Sequence, residues 1–101
     1  MSVTFQKRQQ NLIACLSGEI DHHLAGDMRQ SLDDAILREK PQALLLDFSD
    51  VTFMDSSGIG LVMGRYRLLS QSGGELEVTG TSPQIRKVMK LAGLDRLARI
   101  G

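Results

Sequence analysis

A single cysteine, Cys15, rules out an internal disulfide and any CxxC metal or redox motif. It lies in "LIACL", where a thiol buried as a small hydrophobe is expected. The opening "MSVTFQKRQQ" lacks the apolar core of a secretory signal, and no apolar run approaches the ~20 residues that span a bilayer. A cytoplasmic protein is the expectation. Net charge is lacking too: twelve Lys and Arg balance twelve Asp and Glu, so nothing electrostatic favours nucleic acid or an anionic membrane as partner. Repeats, low-complexity stretches and linkers are absent, and 101 residues suit one domain, 1–101, with a modest core. His22 and His23 are adjacent and diverge in direction, so no metal site using both is expected, nor any other cofactor.

What remains is an ordinary globular composition, 42% hydrophobic and 24% charged. The balanced charge is unevenly distributed. Residues 1–64 carry five basic against nine acidic side chains, and residues 65–101 carry seven against three. Glu19, Asp21 and Asp55 belong to the acidic part, and clustered they would suit a partner bearing arginines.

The β-favouring runs "VTFQKR" (3–8) and "LIACLSGEI" (12–20), separated by "QQN" with Asn11 tolerating the turn, predict an opening hairpin. Leu24, Met28, Leu32 and Ile36 recur every four residues and predict a helix from His23 to Lys40, stopped by Pro41. "ALLLDF" (43–48), apolar on both faces, predicts a strand covered by helices on both sides. A loop "SDVTFMD" should follow, then a helix over about 57–72 ended by Gly73 or Gly74. "ELEVTG" (75–80) predicts a strand. Ser82 as N-cap and Pro83 at the first helical position open another helix, with Ile85, Val88, Met89 and Ala92 on one face and Gly93 as its stop. "LARIG" (97–101) can hold a short last strand. The order β-β-α-β-α-β-α-β predicts an α/β domain with a mixed sheet.

One stretch runs against helix propensity. In "FMDSSGIGLVMGRY" (53–66), Gly58, Gly60 and Gly64 fall within seven residues of a predicted helix, each costing about 0.5–1 kcal/mol relative to alanine. Asp55, Ser56 and Ser57 precede them, where free N–H groups and the positive end of the helix dipole favour acceptors. A cap contributes about 1 kcal/mol but needs one residue of the three, and it requires no glycine behind it. Close packing within the domain is an alternative for Gly64. Bare backbone at Gly58 and Gly60 would instead let a partner approach the serines.

Three chemistries compete for this site. "GIGLVMG" gives G-x-G-x-x-x-G, near the dinucleotide fingerprint but unequal to it, which leaves a small nucleotide-binding protein as an alternative. A serine hydrolase would need the G-x-S-x-G elbow, where Asp55 occupies the first glycine position, and would have to recruit His22 or His23. In the third, a serine accepts a phosphoryl group from a kinase, and the added charge of about −1.5 to −2 disrupts a protein contact. In "GEIDHH" (18–23), Asp21 can cap the helix that follows or face such a partner.

Together "GEIDHH", "FMDSSGIG", "GRYRLLSQSGGE" and "SPQIRKVMKLAGL" closely resemble the STAS family (sulphate transporter and anti-sigma factor antagonist), in particular its sporulation branch. The likeness covers almost the whole chain. It implies a mixed sheet of four to five strands flanked by helices, and a binding module rather than an enzyme. It further implies a cycle in which the unphosphorylated protein binds an anti-sigma factor, itself a serine kinase, and frees a sigma factor. The kinase then phosphorylates the serine after the motif aspartate, which is Ser56 here, and a metal-dependent serine phosphatase reverses this. Asp21 matches the family aspartate that meets an arginine of the kinase, and Asp55 and Ser57 flank the acceptor. The family usually carries a helix beyond the counterpart of "LARIG", and no role for it is carried over. A STAS module of another partner-switching or transport system is the alternative within the family.

Overall fold

The structure, a computed structural model, describes residues 2–101. Two antiparallel strands, β1 (Val3–Arg8) and β2 (Asn11–Ile20), open the chain. The turn residue with positive φ is Gln9 (55°) rather than Asn11, which already starts β2. Then follow α1 (His22–Glu39), β3 (Ala43–Met54), α2 (Ser56–Ser70), β4 (Glu75–Thr79), α3 (Pro83–Leu91), a 3-10 turn (Leu94–Arg96) and β5 (Arg99–Ile100). The helix ends have the expected causes. Lys40, held out of helical geometry by Pro41, takes φ 45° and donates its N–H to the Ile36 carbonyl at 2.8 Å. Ser82 Oγ accepts the Ile85 N–H at 3.2 Å, and Gly73 supplies the left-handed residue after α2.

The sheet runs in sequence order, β1-β2-β3-β4-β5, with β2 to β5 mutually parallel. Three right-handed crossovers stepping in one direction put all three helices on the same face. Burial follows. Leu12, Ala14, Leu16, Leu44, Leu46, Phe48, Leu76 and Val78 are buried towards the helices. Their alternates Ile13, Cys15, Ala43, Leu45, Asp47 and Glu77 are only half-buried. The expectation that β3 is covered on both sides is therefore corrected. So is that of a fully buried Cys15, whose Sγ lies 4.0 Å from Asp47 Oδ2 on the open face. On α3 only Ile85 and Met89 are buried, while Val88 and Ala92 stay exposed.

The largest departure from expectation is the length of β3. Residues 49–54, expected as loop, continue the strand because β2 runs alongside as far as the Ile20–Met54 pair. From the Cys15–Asp47 pair to the Glu19–Phe53 pair β2 advances four residues and β3 six, through two register shifts. Gly18, at φ 99°, sits at the second, a backbone state that a side chain would strain. Pairing with β4 stops at Asp47–Thr79. Beyond it, β2 and β3 project as a two-stranded extension under the first turns of α1 and α2.

Candidate functional site

The ends of that extension fix the site. Ile20 and Met54 are paired, and the Asp55 N–H donates to the Ile20 carbonyl at 3.2 Å, so Asp21 and Asp55 leave the sheet side by side. Each caps the helix it precedes. Asp21 Oδ1 accepts the Leu24 N–H at 2.9 Å, and Asp55 Oδ1 accepts the Ser57 N–H at 2.8 Å. The bond from Leu24 holds the Asp21 carboxyl below its ordinary range. The capping duty among the trio thus falls on Asp55, which leaves both serines free of it. Ser56 is the first residue of α2, exposed, and its hydroxyl makes no hydrogen bond among the described residues. Ser57 is half-buried behind it.

The three glycines separate by helical phase. Gly58 lies on the buried stripe with Leu61, Val62, Arg65 and Leu69, and a Cβ there would overlap Cγ and Sδ of Met54. Access for a partner is therefore the wrong reason for this glycine. Its bare backbone lets α2 close on the last residue of β3. Gly60 and Gly64 face open space, with nothing among the described residues within 4 Å of an added Cβ, so the close packing considered for Gly64 is corrected as well. Gly60 lines a groove of about 390 Å³ between α1 and α2, with Gly26, His22, Arg29 and Ser57 around it.

Deeper between the same helices lies an ion pair that the sequence reading missed. Arg65 Nε is 2.9 Å from Asp33 Oδ1, with the arginine side chain 7% and the aspartate 31% exposed. Among the described residues neither atom finds a hydrogen bond of good geometry, and Arg65 Nη1 has no partner either. Burial pulls the guanidinium below its ordinary pKa, against the attraction of Asp33. The signal was an arginine standing in an otherwise apolar stripe.

The competing chemistries find little support in this geometry. The glycines of G-x-G-x-x-x-G lie within α2 rather than in a turn before it, so no loop of N–H groups is built to cradle a pyrophosphate. His22 and His23 are exposed and make no hydrogen bond to either serine among the described residues.

The STAS domain family model matches residues 2–101. The chain belongs to this family. It is 39% identical to the anti-sigma F factor antagonist of Paenibacillus polymyxa over 89 residues, 88% of this chain and 76% of that one. It is 35% identical to the protein of the same name from Lysinibacillus sphaericus, covering 85% and 74%. The anti-sigma-B factor antagonist of Bacillus subtilis is 27% identical over 93% of the chain and 84% of its own length. Among solved structures, the anti-sigma factor antagonist SpoIIAA in its unphosphorylated form superposes with a TM-score of 0.84 at 31% identity, covering 98% of this chain and 87% of that one. SpoIIAA in the phosphorylated form gives 0.77 at 31% identity, covering 98% and 90%. The five-stranded mixed sheet with three helices is thus the STAS fold, and as a STAS domain of the antagonist kind the chain is regulatory rather than enzymatic.

Proposed function

We propose that this STAS domain is a cytoplasmic anti-sigma factor antagonist switched by phosphorylation of Ser56. Unphosphorylated, it binds an anti-sigma factor that is also a serine kinase and so releases a sporulation sigma factor. The kinase esterifies Ser56, the complex dissociates, and a serine phosphatase resets the cycle. Kinship supports the sporulation branch, since the relatives named for sigma F are 39% and 35% identical and the one named for sigma B is 27% identical.

The observation that carries the reading is the state of Ser56, an exposed hydroxyl with no hydrogen bond among the described residues, at the start of a helix whose cap is already provided by Asp55. Asp21, Asp55, Ser56, Ser57 and Gly60 would form the contact, and Gly58 would shape it from within. A phosphate adds about −1.5 to −2 charge to a rim that already holds two carboxylates. A loss of 3 kcal/mol in that contact weakens binding by roughly 150-fold.

Incubation with the purified anti-sigma kinase and ATP, followed by intact-mass and peptide analysis, is expected to find one phosphate on Ser56. Ser56→Ala should hold the kinase whether or not ATP is present, and Ser56→Asp should bind poorly. A phosphate found on Ser57, or equal ATP sensitivity of wild type and Ser56→Ala, would refute the assignment.

A further inference from the structure

Four aromatic residues occur in the chain, and three have structural employment: Phe48 is buried, and Phe5 and Tyr66 pack partly on the core. Phe53 is 50% exposed. Its orientation is set by the register. Ile20 and Met54 point at α2, where both lie against Gly58, so their predecessors Glu19 and Phe53, also paired, face away from the helices. A large ring is therefore left half exposed on the strand that leads to the proposed phosphoacceptor. Phe53 and Ser56 are three residues apart, no more than about 10 Å along the chain.

The two chain segments that carry the ring and its strand partner hold charges of one sign. Segments 17–23 and 49–60 contain Glu19, Asp21, Asp50 and Asp55 and no lysine or arginine, while Arg29 of α1 borders the groove on the helix side, beside Ser57 and Gly60. An exposed aromatic within an acidic rim has the make-up of an interface anchor, in which a desolvated ring contributes affinity and the charges around it contribute orientation.

We propose that Phe53 is the apolar anchor of the partner contact. It would enter an apolar pocket flanked by arginine or lysine on the same protein that phosphorylates Ser56. The inference rests on the reading given under Proposed function and adds a residue to which that reading gives no role. The partner then grips the tip from both sides, the helix ends with Asp21 and Ser56 above and the ring of Phe53 below.

The test uses the full chain and the purified anti-sigma kinase. By calorimetry, Phe53→Ala is expected to lose about tenfold or more in affinity, with Phe53→Leu in between and melting temperatures unchanged. Because the chain has no tryptophan, Phe53→Trp adds a reporter that should shift to the blue and resist acrylamide quenching once the kinase is bound. Affinities within twofold of wild type, or a tryptophan that stays quenchable in the complex, would overturn the proposal while Ser56 phosphorylation stood. Failure of the wild type to bind the kinase at all would instead strike the underlying reading. A dimer of this chain in sedimentation that Phe53→Ala abolishes would assign the ring to a second copy and overturn the proposal too.

Discussion

Asp21 holds two duties that substitution can separate. Its carboxylate caps α1 through the Leu24 N–H, and in the function proposed above its charge also meets the partner. Asparagine caps about as well as aspartate, whereas alanine does not cap at all. Asp21→Asn should therefore keep the melting temperature and weaken the complex, while Asp21→Ala should lower both. Acid sharpens the distinction. The folded pKa of Asp21 is depressed, so its contribution to stability is present above the ordinary value of 3.8 and disappears as pH falls through the lowered one. Urea titrations across that acid range should show the stability difference between wild type and Asp21→Asn changing below pH 3.8 and constant above it. A difference independent of pH would show that the Leu24 bond does not favour the charged form. The capping duty was legible in the sequence as one of two uses for this residue, because an aspartate ahead of an apolar periodicity is a start signal. The structure shows the cap; the partner-facing use is part of the proposal above.

Helix α2 carries three glycines that the sequence presents as one feature and the fold divides into two. Composition showed that the helix forgoes stability; only phase against the β3 terminus shows where. Gly58→Ala should destabilise the domain, since overpacking against Met54 costs about 1–3 kcal/mol and exceeds the gain in helix propensity. Gly60→Ala meets nothing and should stabilise it by about 0.5–1 kcal/mol. Thermal melts of the two variants check this, and a melting temperature lowered alike in both would defeat the distinction. The helix boundaries were foreseeable within two residues because Pro41, Ser82, Pro83 and Gly73 act locally. The continuation of β3 was hidden for the opposite reason. "SDVTFMD" has no clean period of two, since two inserted residues break the alternation, and its pairing with β2 depends on residues more than thirty positions away. Arg65 was hidden similarly, because its partner Asp33 belongs to another helix.

The molecule as a whole is one-sided. Every helix lies on one face of the sheet, and the parallel strands deliver both aspartate caps, Ser56 and an exposed phenylalanine to one end. That end is acidic, although the chain as a whole is neutral, so the contact proposed for it should depend on ionic strength. Raising salt from about 0.05 to 0.5 M shortens the screening length severalfold and should weaken the kinase complex measurably. Phe53→Ala should retain that salt dependence, and Asp21→Asn should reduce it. Identical salt responses for wild type and Asp21→Asn would remove Asp21 from the contact. Much of this was legible in the sequence, including the acidic first part and a cluster of Glu19, Asp21 and Asp55; that Asp50 joins them required the extension of β3 alongside β2.

The two residues that β3 holds in excess over β2 work as a phase setting. Take one away between Asp47 and Phe53 and the strand still reaches the same helix, but its final side chains trade places, with methionine turned outward and phenylalanine driven against Gly58. In this domain the character of the exposed tip is written in a count of residues as much as in their kind, so a relative of different length here would present a different surface behind an unchanged serine.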